Sequence, residues 1–190
     1  MYGPILAGEK ISLQPPEASE AERYVVWLRD PEVTRFVSSF TDVTIESERE
    51  FLKNIAEDAT KVFWSVYTKD GKHIGSTDLH GLALNHKRTS WGVMIGDKSE
   101  WNKGYGADVL RTLADYAFGK LKLNRFELEV FDRNAAGIAC YRKCGFKTEG
   151  VKRKCFVKNG QVHDSILMAL TDDDYEELKK NNADKKSRTC

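Results

Sequence analysis

The chain lacks the features that would commit it to a membrane, to nucleic acid or to a disulfide scaffold. Its 30 basic side chains face 29 acidic ones, a net charge of +1, so no field of one sign favours nucleic acid or an anionic bilayer. No apolar run is long enough to span a membrane. Residues 1–6 lack the basic and apolar regions of a secretory signal, residue 2 is not glycine, and Cys190 is not four from the end. Cysteine is scarce: Cys140, Cys144, Cys155 and Cys190, with no C-x-x-C pair. Cys140 and Cys144 stand one helical turn apart, but no histidine pair accompanies them, so no metal site is expected. These thiols read as small buried or half-buried side chains in a reducing cytosol. The expectation is a cytoplasmic protein with neither a membrane nor a nucleic acid as partner. Internal repeats are absent.

What is present is an ordinary globular composition, 41% hydrophobic and 31% charged, over 190 residues. That length suits one domain with a real core. Residues 9–14 alternate, with Ile11 and Leu13 on one face, and read as a strand. Ser19-Glu20-Ala21-Glu22 reads as a capping box, followed by Ala21, Tyr24, Val25 and Leu28 at helical spacing. Asp30 and Pro31 read as the N-cap and first residue of a second, short helix. Residues 44–56 form a third, with Ile45, Phe51, Leu52 and Ile55 as its apolar side. Residues 62–68 are rich in β-branched and aromatic side chains. Asp70-Gly71 turns that strand into 73–84, and Asn85-His86-Lys87 turns again into 89–95.

A helix is expected after Gly104 as far as Phe118, then a strand at 125–130 and a helix at 134–144 stopped by Gly145. A hairpin around Asn159-Gly160 joins 146–157 to 162–170. Thr171 and Asp172 to Asp174 cap a last helix, and from Lys179 to Cys190 the composition predicts a disordered tail. Three strands in succession do not fit a doubly wound sheet. The fold class expected is α+β: one domain over 9–178, with a mixed, mostly antiparallel central sheet flanked by helices on both faces.

Two clusters carry the chemistry. In Trp101-Asn102-Lys103-Gly104-Tyr105-Gly106-Ala107-Asp108, two glycines stand between a strand and a helix. They allow a tight turn and close backbone approach, and the helix start adds unpaired amides and a positive dipole end, a place for phosphate. Alone, this pattern is also what a plain loop into a helix shows. The second cluster is Asn134-Ala135-Ala136-Gly137-Ile138-Ala139-Cys140-Tyr141-Arg142-Lys143-Cys144-Gly145-Phe146. Asn134 and Tyr141 are seven apart and share a helix face. Taken singly, Asn134 reads as an N-cap, Tyr141 as a core aromatic and Gly145 as a C-cap. The two clusters some thirty residues apart make the combined pattern specific.

With these residues the chain resembles the GNAT superfamily of acyl-CoA N-acyltransferases. Within it, the subgroup of ribosomal-protein N-terminal and spermidine acetyltransferases is the most similar. The resemblance spans residues 9–178 and includes Trp27-Leu28-Arg29-Asp30-Pro31-Glu32-Val33. It implies acetyl transfer from acetyl-CoA, as cosubstrate and without a metal, to a primary amine on a protein N-terminus, a polyamine, an amino sugar or an aminoglycoside. It is compatible with a homodimer. By the same resemblance the pyrophosphate lies on the amides of Lys103, Gly104, Tyr105, Gly106 and Ala107. The pantetheine arm pairs with the backbone of Val93, Met94 and Ile95, where an amide, foremost that of Met94, polarises the thioester carbonyl. Asn134 binds the arm, Tyr141 is the general acid at the sulfur, and Lys143 or Lys103 meets a phosphate or is a solvated surface lysine.

Two departures from the family pattern stand out. Trp101 occupies a position where Gln or Arg is usual. Ser90 stands where the subgroup often has Glu, so the base is expected elsewhere: Asp78 first, or His80 on the same face of the preceding strand, or a water chain. The acceptor pocket is expected from 20–45, 76–84 and 154–163. A dinucleotide-dependent oxidoreductase is the rival reading of Gly104 and Gly106, but Val109 replaces the third glycine. A CoA-binding regulatory domain without catalysis is the non-enzymatic alternative.

Overall fold

The computed structural model describes residues 1–37, 43–158 and 160–187, with side chains as far as residue 183. Residues 38–42, Asn159 and the end of the chain lie outside the described residues, and with them part of the expected acceptor segments and of the Asn159-Gly160 turn. The architecture is α+β, and among the described residues it comprises eight strands and five α-helices. The chain, read from sequence as one domain, divides into two compact units: Met1–Leu82 with Ser90–Thr112, and Ala83–Thr89 with Leu113–Cys190.

In the first unit the strands are β1 (Leu6–Ala7), β2 (Ile11–Gln14), β3 (Val62–Thr68), β4 (His73–Ala83) and most of β5 (Arg88–Ile95), in that spatial order. The pairings β1–β2, β2–β3 and β3–β4 are antiparallel; Leu13 faces Val66, and Trp64 faces Thr77. Helix α1 (Ala21–Arg29) and helix α2 (Ile45–Glu57) bury Tyr24, Trp27, Leu52 and Ile55 in one cluster with Val33 and Phe63. Leu28, Met94 and Trp101 pack on it.

The local capping differs from the sequence reading in instructive ways. The capping box before α1 is Glu17 with Glu20, not Ser19 with Glu22. Glu20 is then drawn inward, accepting from Ser65 Oγ at 2.5 Å and from the Tyr67 hydroxyl, with Tyr24 Oη 2.7 Å from Ser65 Oγ. A carboxylate with that many partners tolerates burial. Asp30 accepts from Glu32 N–H at 2.8 Å as expected of an N-cap, but the element it opens is a 3-10 turn, Val33–Phe36. Thr44 caps α2 through Ser47 N–H at 3.1 Å. On α2 the inward stripe includes Glu48, whose carboxyl burial pushes above its usual range, whereas Phe51 is exposed.

The second unit holds β6 (Arg125–Phe131), β8 (Gln161–Thr171) and β7 (Lys147–Lys158), in that spatial order and antiparallel throughout. Phe126 meets Phe118 edge-on at 6.5 Å and Phe146 at 5.6 Å, while Phe118 stacks on Tyr175 at 4.8 Å. Helix α4 (Ala135–Lys143) stops at Gly145, φ 93°, where Phe146 N–H returns to the Tyr141 carbonyl at 3.0 Å. Cys155 is exposed rather than half-buried, because β7 bulges between Lys152 and Phe156.

The expected tail from Lys179 to Cys190 is corrected in its described part: helix α5 (Asp172–Ser187) continues as far as Ser187, and the last three residues lie outside the described residues. Three acidic residues in its first turn complement the dipole. Glu176 precedes Lys180 by four, a spacing that supports a helix.

Candidate functional site

The first site element is the turn into helix α3 (Tyr105–Gly119). In its first turn Asp108 N–H donates to the Gly104 carbonyl at 3.1 Å. Tyr105, Gly106 and Ala107 form the start of the helix, at the positive end of its dipole. Gly104 has φ 85°, a left-handed conformation that a β-carbon would strain. Nothing lies within 4 Å of where a Cβ on Gly106 would stand. One glycine makes the turn; the other leaves room over the helix start.

Charges around this turn are paired in a way the sequence did not disclose. Lys103, expected to reach a phosphate, donates to Glu100 Oε2 at 2.8 Å. Glu100 is 8% exposed, and its other oxygen is 2.8 Å from Lys72 Nζ, which also meets Asp97 at 2.8 Å. The Lys103 and Lys72 ammonium groups beside Glu100 hold its carboxyl below the usual range. Trp101 takes a structural part: its indole N–H donates to the Ile95 carbonyl at 2.7 Å, pinning the loop to the end of β5.

The second element is β5 itself with the strand beside it. Met94 lies on the core cluster, and its carbonyl faces Gly75, where a Cβ would collide with it. Gly96 N–H and Asp97 N–H both donate to the Ile74 carbonyl, at 2.9 and 3.1 Å. Two amides on one carbonyl mark an irregularity directly after β5 ends at Ile95. Asp78 stands over Gly92, with Oδ1 2.6 Å from where a Cβ would be. Its Oδ2 lies 2.9 Å from His80 Nδ1. The two residues that the sequence offered as competing bases are thus one hydrogen-bonded pair, with side chains 26% and 41% exposed. Ser90 is half-buried on the same strand as Gly92.

The third element belongs to the second unit. Asn134 is the N-cap of α4, accepting from Gly137 N–H at 3.0 Å. A Cβ on Gly137 would stand 2.6 Å from Asn134 Nδ2, so a larger residue there would displace the Asn134 amide. Tyr141 lies in the last turns of α4, and burial pushes its phenol up to about 12, with Cys140 and Cys144 adding to the effect. Lys143 is exposed near the end of that helix. Among the described residues no group of three or more His, Cys, Asp or Glu side chains could hold a metal ion. The residues missed by sequence reasoning are Glu100, Lys72, Asp108 and Lys10. Glu100 and Lys103 are a local i,i+3 pair, whereas Lys72, Asp108 and Lys10 meet partners distant in the chain, which no local pattern reveals.

Comparison with known proteins gives the family. A family model described as an acetyltransferase (GNAT) domain matches residues 10–147. The chain is 28% identical over 183 residues to the probable N-acetyltransferase YjcK of Bacillus subtilis, covering 91% of this chain and 100% of that one. It is 25% identical over 171 residues to the uncharacterized N-acetyltransferase p20 of Bacillus licheniformis, covering 88% and 96%. Spermidine N-acetyltransferase from Vibrio cholerae, solved in complex with CoA and spermine, superposes with a TM-score of 0.82 at 19% identity, over 87% of this chain and 98% of that one. At that identity the structural likeness is one of fold. A family match across most of the chain, together with curated relatives aligned nearly end to end, shows that this protein belongs to the GNAT family of acetyl-CoA-dependent N-acetyltransferases.

Proposed function

We propose that the protein moves an acetyl group from acetyl-CoA directly to a primary amine, with His80 taking the amine's proton, Asp78 orienting His80, and Tyr141 donating a hydrogen bond to the leaving sulfur. The observation that carries this reading is the Asp78–His80 pair over Gly92, one residue from the β5 backbone expected to hold the thioester. Acetyl-CoA supplies the acetyl group and a thiol leaving group. The amides of Tyr105, Gly106 and Ala107 receive its pyrophosphate, and the open space at Gly106 fits that approach. An amide of Val93, Met94 or Ile95 polarises the carbonyl. Asn134, with its Oδ1 engaged at Gly137, presents its amide nitrogen to the pantetheine arm.

In the tautomer whose Nδ1 donates to Asp78, Nε2 is the basic nitrogen of the ring, and in this reading it takes the proton as the amine attacks. The carboxylate also attracts a cationic acceptor. A protein N-terminus, a polyamine and an amino sugar all present the required amine. At the other end, a phenol near 12 is a weaker acid than a thiol of pKa about 8.5. Complete proton transfer to the thiolate is therefore uphill, and Tyr141 acts as a hydrogen-bond donor to the developing charge.

Acetyl-CoA is expected to raise the thermal midpoint, by linkage equivalent to about 2.7 kcal/mol at roughly 100 times the dissociation constant. Nicotinamide dinucleotides are expected to leave it unchanged; the reverse preference overturns the reading. A panel of primary amines, followed by released thiol, then identifies the acceptor. Gly106→Val tests the cofactor loop separately. With no atom near that Cβ position, the melt is expected to stay close to wild type. A branched side chain at the phosphate approach is expected to weaken acetyl-CoA binding roughly 10-fold or more in calorimetric titration. Equal affinity in the folded variant removes the loop from the cofactor site.

A further inference from the structure

We propose that Lys10 is a cofactor-selecting residue, binding a phosphate group of acetyl-CoA at the mouth of the Gly104 turn. Lys10 lies in the turn between β1 and β2, 93 residues before the loop it touches. Its ammonium donates to the Lys103 carbonyl at 3.1 Å and stands 3.5 Å from the Cβ position of Gly104. This placement is built rather than incidental. Asp108, 2% exposed on the first turn of α3, accepts from three successive amides: Glu9 at 3.3 Å, Lys10 at 2.7 Å and Ile11 at 3.2 Å. One buried carboxylate thus ties the β1–β2 turn to the helix whose start forms the phosphate site. Gly8 permits the approach, since a Cβ there would lie 2.6 Å from Asp108 Oδ2.

The charge balance singles out Lys10. Lys103 and Lys72 share Glu100 and Asp97, and a phosphate must compete with those carboxylates for them. Among the described residues no carboxylate lies within ion-pair distance of Lys10. Its ammonium is held by a neutral carbonyl, which an anion outbids, because a charge-assisted bond is the stronger of the two. The side chain is exposed and long, so the exchange needs rotation about its own bonds only.

The inference rests on the acetyl-CoA reading, and the test separates the two. Lys10→Met and Lys10→Arg are compared with wild type by calorimetric titration and steady-state kinetics with acetyl-CoA. Lys10→Met is expected to melt as wild type, to raise the acetyl-CoA dissociation constant and KM roughly 10-fold, and to leave kcat unchanged. Lys10→Arg is expected to restore most of the affinity. Wild-type affinity is expected to fall more steeply with salt than that of Lys10→Met.

Acetyl-dephospho-CoA, which lacks the ribose phosphate, identifies the contact. If Lys10→Met binds both thioesters more weakly by the same factor, the contact is the pyrophosphate. If only acetyl-CoA binding suffers, it is the ribose phosphate. Wild type that fails to bind acetyl-CoA removes the functional reading itself. Wild type that binds, with Lys10→Met equal to it in affinity and salt dependence, overturns the role of Lys10 alone.

Discussion

Replacing Tyr141 by phenylalanine is expected to lower kcat by roughly 100-fold, the lower end of what one hydrogen-bond donor to a developing charge contributes, with acetyl-CoA affinity close to wild type. The ring keeps its packing, and the backbone keeps the Phe146 N–H bond that ends α4. What is lost is one donor aimed at a developing charge, a loss comparable in size to removing one oxyanion donor. The sign of the pH dependence comes from the phenol. The active form is protonated, and burial pushes its pKa up to about 12, so that form persists well above the ordinary phenol value of about 10. The wild-type rate is therefore expected to show no alkaline limb from Tyr141 up to pH near 10. Measuring kcat against pH for both proteins checks this. Unchanged turnover in Tyr141→Phe would reduce Tyr141 to a packing residue.

The larger loss is expected at the other end of the reaction. His80→Gln is expected to lower kcat roughly 100- to 10,000-fold, the range for removal of a general base. The acidic limb of the pH–rate profile is expected to vanish with it. Asp78→Asn is expected to lower kcat less and to raise KM for the amine, while keeping an acidic limb, because the imidazole remains. The 2.9 Å bond between Asp78 and His80 motivates this order of effects: Asp78 holds the tautomer and His80 accepts the proton. If Asp78→Asn loses the limb while His80→Gln behaves as wild type, the carboxylate itself is the base. If neither matters, the proton leaves through water.

Much of the fold was legible because it rests on local periodicity and punctuation. The β-branched run at 62–68, the helical spacing after Gly104 and the stop at Gly145 each encode an element through backbone preference and side-chain alternation. The family pattern was legible for a related reason, since Gly104, Gly106, Asn134 and Tyr141 sit at fixed offsets within single strand–turn–helix segments. The errors came where propensity and context disagree. A run of Lys, Asn, Ala and Asp reads as a tail by composition, yet an acidic first turn and i,i+4 charge pairing carry α5 through it. The burial of two carboxyls is not written in the local pattern either: Glu20 is buried by a network of hydroxyl donors and Glu48 by the fall of its helix face.

By itself, then, the sequence determined the α+β class, the order of elements and the Gly104 turn into a helix on which the proposed cofactor site rests. All of these are written in neighbours along the chain. Only the tertiary structure decided that Asp78 and His80 form a hydrogen-bonded pair, that Lys72 joins Lys103 on Glu100, that Trp101 ties the loop to Ile95, and that Lys10 stands beside Gly104. The physical reason is that a charge acquires its role from its partners. Those partners are supplied by strand adjacency and by one buried carboxylate, Asp108, joining segments nearly a hundred residues apart.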